Sequence, residues 1–304
     1  MATGNWFRGE VLARLAAVFL LLMGTAAGAH PARGIVVTPD GRVYFSDLER
    51  LWRIERDGRL TKLREHRDRH THELALDPAG NVIGEDSSYV GGRYRETVWQ
   101  LAPDGRFRIL YGPTVQVERG AGVVRDSRGC TFHSDRTPIT RRPLVHRRCP
   151  NGRGQRLVGS AADDAAFRQE LIGNVAGAFV DPAGGFVFRQ GTTVRRIAPS
   201  GRIQRLATGI ANENFGIAGA PDSAVLVAEA AARRVIRITP GGRKSVAARS
   251  TKPWFPTGVA ATREALFVLE ATDYKRGTPV RVRVRRIERD GTARTLATVT
   301  MPPA

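Results

Sequence analysis

The chain has 304 residues, long enough for two average domains or for one large all-β domain. Its 48 lysines and arginines outnumber 29 acids, and the formal net charge of +19 attracts polyanions at long range without specifying a fold. Two interpretations stay open: a solvated arginine-rich surface that partly reflects codon usage, or a dedicated polyanion site. Aromatic residues make up 7% and no nucleic-acid-binding motif is visible, so nucleic acid is not an expected partner.

Residues 1–29 are predicted to be a cleaved signal peptide. Arg8 and Arg14 precede the apolar run LAAVFLLLMG, and residues 27–29 (Ala-Gly-Ala) supply the small residues of a cleavage site. An uncleaved membrane anchor is the alternative, but the apolar core of about ten residues is too short for a hydrocarbon layer of roughly 30 Å. We therefore expect residues 30–304 to form a mature protein that is secreted or periplasmic, without stable membrane insertion.

Six segments of the remaining chain begin alike, with a short apolar run and then a turn of the Asp-Pro-Ala-Gly kind. Each continues with three more apolar runs, separated by pairs such as Asp-Gly that favour tight hairpins. Units of about 45 residues suit four short strands, and such sheets bury their faces by stacking radially. The sequence predicts an all-β fold, one six-bladed β-propeller of four-stranded antiparallel blades spanning residues 30–304. The second position of the repeats is Gly34, Glu73, Gly122, Gly177, Gly216 and Gly258.

Each blade is expected to own its four strands, although a strand exchange between the first and last blades stays open. Two insertions, SSYVGGRYRET and ATDYKRGTP, lengthen hairpins of the second and sixth repeats. Residues 162–171 are the one predicted short helix outside the signal peptide.

An acid ends the second run of five repeats, and Gln190 is the exception. A position that recurs in nearly every blade favours a structural role, because a catalytic site needs one acid rather than five. We expect these acids to cap turns or to pair with arginines of the neighbouring third run, such as Arg53, Arg237 or Arg286. The acids are Asp47, Asp86, Asp135, Glu229 and Glu270.

The two cysteines lie in neighbouring runs of the third repeat. If CTFHSD pairs antiparallel with PLVHRRC, Cys130 faces Cys149 and His133 faces His146. A disulfide would close a loop of about 20 residues and stabilise the fold by about 3 kcal/mol in the chain-entropy account. Exported proteins permit this bond, and two reduced thiols are the alternative.

The segments LVAEAAARRVIRI, APDSAVLVAE and DPAGNVIGED resemble blades of the SMP-30/gluconolactonase, strictosidine-synthase-like and NHL-repeat propellers. This resemblance covers nearly all of the mature chain. It implies a divalent cation, often calcium, at the mouth of the central channel, held by acids and amides that precede the repeat's glycine. None of the corresponding residues carries a carboxylate or an amide, whereas calcium needs six to eight oxygen ligands. They are Arg33, His72, Ala121, Ala176, Phe215 and Thr257.

The most unusual cluster comprises His66, Asp68, His70, His72 and Glu73. His70 and His72 are two residues apart and share a face of a strand, a spacing that a transition metal such as zinc can use. The other interpretations are a polar rim that recognises a ligand, and ordinary surface and packing residues.

Pockets at channel mouths are the default hypothesis for a ligand site. The predicted ligand-binding set at the mouth is Arg33, His70, His72, Glu73, Asn214, Phe215 and Thr257.

Two classes of function remain open. The first is a propeller that binds a small molecule, an anionic ligand or polymer, or a protein partner without evident catalysis. The second is a metal-dependent hydrolase of lactones or esters, or a lyase, with a rearranged site. No nucleophile elbow, phosphate loop or zinc-protease motif is present, so no catalytic residue is predicted. No cofactor is certain; calcium and zinc are the candidates.

Overall fold

The computed structural model describes residues 31–66, 68–91, 93–115, 124–125, 131–136, 143–148, 154–157, 175–211, 216–273 and 278–301. The predicted signal peptide, the predicted short helix, and Ala121, Cys130, Cys149, Asn214 and Phe215 lie outside these residues. None of the described segments contains a helix long and apolar enough to cross a bilayer.

Consecutive strands pair antiparallel into four-stranded sheets. The first two repeats form β1 (Ile35–Val37), β2 (Val43–Ser46), β3 (Arg50–Ile54) and β4 (Leu60–Glu65), then β5 (Arg69–Leu76), β6 (Val82–Val90), β7 (Arg93–Leu101) and β8 (Phe107–Val115). The third repeat forms β9 (Val124–Arg125), β10 (Thr131–Arg136), β11 (Pro143–Arg148) and β12 (Gly154–Leu157).

The last three repeats follow the same order. They form β13 (Val175–Val180), β14 (Phe186–Gln190), β15 (Thr193–Ile197) and β16 (Ile203–Ala207), then β17 (Ile217–Gly219), β18 (Val225–Glu229), β19 (Arg234–Ile238) and β20 (Lys244–Arg249). The final sheet contains β21 (Trp254–Ala261), β22 (Ala265–Thr272), β23 (Arg281–Glu288) and β24 (Ala293–Thr300).

The fold is an all-β propeller of four-stranded antiparallel blades. We name each blade by the number of its repeat. The repeats predicted six blades, and the structure describes the packing of five of them: blades 1, 2, 4, 5 and 6. The third repeat contributes the sheet β9–β12, which is described through its backbone pairing. All of these sheets consist of consecutive strands, so within the described residues each blade owns its four strands, as expected.

Apolar residues pack between neighbouring blades. Phe45 of blade 1 lies in one cluster with Phe267 and Leu269 of blade 6. On the opposite face of blade 1, Tyr44 packs with Trp99 of blade 2. This alternation follows from the strand, because successive side chains point to opposite faces.

The glycine of the repeat lies where inner strands approach each other closely. A Cβ atom on Gly258 of β21 would lie 2.2 Å from the carbonyl oxygen of Arg33, which precedes β1. A Cβ atom on Gly216 would lie 2.9 Å from the Cα atom of Gly258. The recurring glycine is therefore explained by backbone packing between adjacent blades.

The acids that end the second strand are buried where blades meet. Glu229 accepts hydrogen bonds from Arg234 Nε at 2.5 Å and from the Ala211 amide, which follows blade 4, at 2.8 Å. Glu270 of blade 6 likewise accepts a hydrogen bond from Ser250, which follows blade 5, at 2.6 Å. These contacts confirm the structural role and show that the acids join neighbouring blades. The side chain of Asp135 is outside the described residues.

The arginine partners differ from those predicted. The acids Asp47, Glu229 and Glu270 pair with Arg50, Arg234, and Arg283 together with Arg285. Arg234 and Arg283 lie directly opposite their acids in the strand register. Arg53, Arg237 and Arg286 lie three residues further along, on the opposite face, and pair with Glu55, Asp222 and Glu288 instead.

Candidate ligand-binding site at the channel mouth

The channel mouth is the end of the propeller at which the inner strands begin. Arg33 lies two residues before the start of β1, and its amide donates to the carbonyl of His72 in β5 at 3.1 Å. Two hairpins extend past the mouth, because β6 and β22 continue beyond Asp86 and Glu270. The tip of the blade 2 hairpin presents Tyr89, of which 63% is exposed. Blade 1 therefore lies between two raised hairpins.

A β-bulge occurs at the most unusual part of the sequence. In the β5–β6 pairing, Thr71 faces Asp86 and Glu73 faces Glu85, so His72 is an extra residue in β5. A bulge re-aims the side chains beside it, and strict alternation no longer applies. Strict alternation would place the side chain of Glu73 on the opposite face of the strand from His72.

Glu73 forms an ion pair at the mouth. Its Oε1 lies 3.1 Å from Nη2 of Arg33, and both side chains are largely buried, at 16% and 21% exposure. The pair connects blade 1 to blade 2. The positive charge of Arg33 is thus already balanced by a carboxylate.

The two histidines of the mouth also lie together. The rings of His70 and His72 meet edge to face with centroids 5.8 Å apart. Among the described residues, no group of three or more histidines, cysteines and acids is placed to hold a metal ion.

The donors at the mouth do not fit the calcium site implied by the sequence resemblance. Arg33 brings a cation to the first of the expected ligand positions, and Glu73 is engaged by that cation. Thr257 is fully buried, and its hydroxyl donates to the carbonyl of Leu269 at 3.4 Å. Calcium requires several converging oxygens, which these positions do not supply.

The sequence did not predict a hydrogen-bond network that lies beside the mouth. Asp86 accepts hydrogen bonds from Trp99 Nε1 at 2.6 Å and from the hydroxyl of Thr71 at 2.8 Å. In blade 1, Asp47 likewise accepts a bond from Trp52 Nε1, at 2.9 Å. The signal was present in the sequence, because only repeats 1 and 2 place tryptophan in the third run. The network fixes the start of β5, which carries the mouth residues.

His66 lies on the segment that connects β4 of blade 1 to β5 of blade 2. Its Nε2 is 2.7 Å from Nη2 of Arg64. Burial, followed by the nearby charge of Arg64, holds the pKa of His66 below its usual value. The guanidinium of Arg64 lies 3.8 Å from the ring centroid of Phe107. His66 is therefore bonded to an arginine that packs on Phe107 of blade 2.

The comparisons with known proteins agree with this fold. No protein-family profile and no curated protein matches the sequence. Among solved structures, the chain is similar to virginiamycin B lyase from Staphylococcus aureus (TM-score 0.52, 15% identity, covering 88% of this chain and 84% of that one). It is also similar to a gluconolactonase from Xanthomonas campestris (TM-score 0.55, 15% identity, 78% and 83%). A third is regucalcin, a calcium-binding protein from Agrobacterium tumefaciens (TM-score 0.50, 13% identity, 79% and 83%).

Fold and neighbours together define the class of this protein. It is a β-propeller with the fold found in SMP-30/gluconolactonase-like proteins and virginiamycin B lyase. At these low identities the likeness concerns the fold, and the activities named for the neighbours remain theirs.

Proposed function

We propose that this chain is a secreted or periplasmic β-propeller that binds a ligand or partner at its channel mouth without metal-dependent catalysis. The carrying observation is the Arg33–Glu73 ion pair, which brings a guanidinium to the first position at which related propellers are expected to hold a metal ligand. Glu73, the carboxylate of the predicted mouth set, is already paired with this guanidinium, which a divalent cation would have to displace. His70, His72 and the raised hairpins supply a rim that a small molecule, an anionic ligand or polymer, or a protein can contact.

The alternative is a hydrolase or lyase that uses a rearranged metal site. It is favoured by the neighbours, since one is a gluconolactonase, one a lyase and one a calcium-binding protein. The metal ligands on this chain would be His70 and His72, whose rings are adjacent. A third ligand would have to come from another blade.

Metal titration separates the two proposals. We expect no stoichiometric binding of calcium, zinc or manganese when chelator-treated protein is titrated by calorimetry, because the mouth lacks converging donors. The His72→Ala variant should then behave as the parent does. The matched control is His66→Ala, which removes a histidine bonded to Arg64.

Tight one-to-one binding that is lost in His72→Ala and kept in His66→Ala would establish the metal-site alternative. Metal-stimulated hydrolysis of a lactone or ester panel, lost in the same variant, would identify that alternative as an enzyme.

The number of blades is part of the proposal. We propose that β9–β12 is a sixth blade between blades 2 and 4, in an NHL-like arrangement of six repeats. In support, β9 lies beside both β5 and β13, and β21 lies beside β1. The inner strands then follow one another around a closed ring.

A disulfide between Cys130 and Cys149 is proposed on the register of the strands next to them. Thr131 faces Arg148 and His133 faces His146, as the sequence predicted for the histidines. If this register continued by one pair, position 130 would lie opposite position 149, as the sequence predicts. Peptide mapping without reductant should recover the two cysteine peptides linked, which an exported protein permits. Recovery of both thiols free would remove this proposal.

A further inference from the structure

Among the described residues of blades 1, 2 and 4 to 6, the surplus of positive charge lies in blades 4 to 6. The described residues of blades 1 and 2 contain 13 basic and 13 acidic side chains and are neutral. Those of blades 4 to 6 contain 19 basic and 8 acidic side chains, a net charge of +11. A charge surplus confined to one region gives a local field rather than a uniform one.

Within blades 4 to 6, several basic residues make contacts at the junction of blades 5 and 6. Arg285 Nη1 donates to the carbonyl of Arg249 at 3.1 Å and to Glu270 at 3.0 Å. The guanidiniums of Arg283 and Arg281 lie 4.1 Å and 5.3 Å from the ring centroid of Trp254. The segment from Arg249 to Trp254, which contains Lys252, crosses here from β20 to β21.

The acids at this junction are already engaged. Glu229 pairs with Arg234, and Glu270 pairs with Arg283 and Arg285. Asp273 of the blade 6 hairpin pairs with Arg233. Three further bases are exposed and make no ion pair with an acid in the described part of the chain: Arg249, Lys252 and Arg281.

We propose that the surface formed by Arg249, Lys252 and Arg281, the junction patch, binds an anionic polysaccharide. Three exposed cations at one junction, unpaired with acids in the described part of the chain, match the spaced sulfates or carboxylates of such a polymer, and each contact releases condensed counterions. Trp254 is only 8% exposed and lies against the two arginines, so it offers no open ring for base stacking. This favours a polysaccharide over single-stranded nucleic acid.

The patch lies at the same end of the propeller as the channel mouth, since its crossing segment leads into β21, but it shares no residue with the predicted mouth set. At the mouth, Arg33 is neutralised by Glu73, whereas the junction patch keeps its charge. Binding to the patch therefore does not depend on the proposed function of the mouth. A Glu73→Gln variant changes the mouth and should leave binding to the patch intact.

The test uses the mature protein, immobilised heparin as the sulfated probe, and two triple variants with the same change in charge. One is Arg249→Gln/Lys252→Gln/Arg281→Gln. The control is Arg56→Gln/Arg59→Gln/Arg106→Gln, three exposed bases of the neutral blades 1 and 2. Affinity is measured across a series of salt concentrations. The first variant should reduce the slope of log K against log salt by about 2, since three phosphate-like contacts are lost, and the control should leave it unchanged.

Two results would overturn the proposal. An equal fall of the slope in the control would show that net charge alone drives binding. Tighter binding of a single-stranded oligonucleotide than of heparin, lost in the patch variant, would make the surface a nucleic-acid site instead. Because Arg281 packs on Trp254, the double variant Arg249→Gln/Lys252→Gln is measured as well. It leaves that packing intact and should reduce the slope by about 1.5.

Discussion

Replacing Glu270 with glutamine is expected to lower the free energy of unfolding by about 3–5 kcal/mol, because a buried charge pair loses one partner. Glu270 is fully buried and lies 2.5 Å from Arg283 Nε and 3.0 Å from Arg285 Nη1. Glutamine keeps the shape of the side chain but leaves both guanidiniums without their counter-charge. Equilibrium denaturation with urea, followed by tryptophan fluorescence, measures the change.

The matched control is Glu264→Gln, the same chemical change at an exposed turn of blade 6. Glu264 makes no ion pair within the described residues. We therefore expect the Glu264→Gln substitution to change the free energy of unfolding by less than about 0.5 kcal/mol. If both variants lost the same stability, the acids would not be the connectors between blades that the structure indicates. The result bears on all blades with this acid, since Asp47 and Glu229 are buried in the same way.

Replacing Gly258 with alanine is expected to destabilise the protein by about 3 kcal/mol, at the upper end of the usual cost of overpacking. The new Cβ atom would lie 2.2 Å from the backbone oxygen of Arg33 and 3.0 Å from its carbonyl carbon. Backbone atoms cannot rotate away as a side chain can, so β21 and β1 must separate. The same separation would displace Arg33 from Glu73.

Gly241→Ala is the control for this substitution. The nearest atom to a Cβ there is the hydroxyl of Thr239 at 4.0 Å, so we expect a change within about 0.5 kcal/mol. Thermal unfolding of both variants makes the comparison. A Gly258→Ala variant as stable as the control would contradict the close approach of the first and last inner strands.

Most of the fold could be predicted from the repeat pattern, because each blade is built from hairpins between strands that are consecutive in the sequence. The turn pairs gave the four-stranded unit, and the register of His133 with His146 was correctly predicted. The acid partners were less accurately predicted. The repeat pattern places both Arg50 and Arg53 in the third run. Which of them faces Asp47 depends on which face of the strand each side chain occupies, and the repeat pattern does not specify this.

The mouth was predicted only in part, since its geometry depends on a bulge. One extra residue at His72 changes the direction of Glu73, and nothing in the sequence marks that residue as extra. Thr257 is likewise an extra residue, in the pairing of β21 with β22. Its side chain is buried rather than exposed at the mouth. Bulges are settled by the packing of adjacent inner strands, which a single sequence does not reveal.

The sequence alone left two interpretations of the charge surplus, a solvated surface or a dedicated polyanion site. The position of the surplus in the structure favours the second. Besides the basic surface, Arg33 at the channel mouth was a reason to expect an anionic partner from the sequence. The ion pair with Glu73 removes that reason, whereas the junction patch supplies another. Counting charges by repeat could have found this asymmetry, because blades 1 and 2 are neutral.

The most direct test of the mouth is a crystal structure of the mature protein grown in millimolar calcium. We expect Arg33 and Glu73 to remain paired, with no cation coordinated by the mouth residues. Calcium bound to Glu73 at about 2.3–2.6 Å, with Arg33 turned away, would contradict this account.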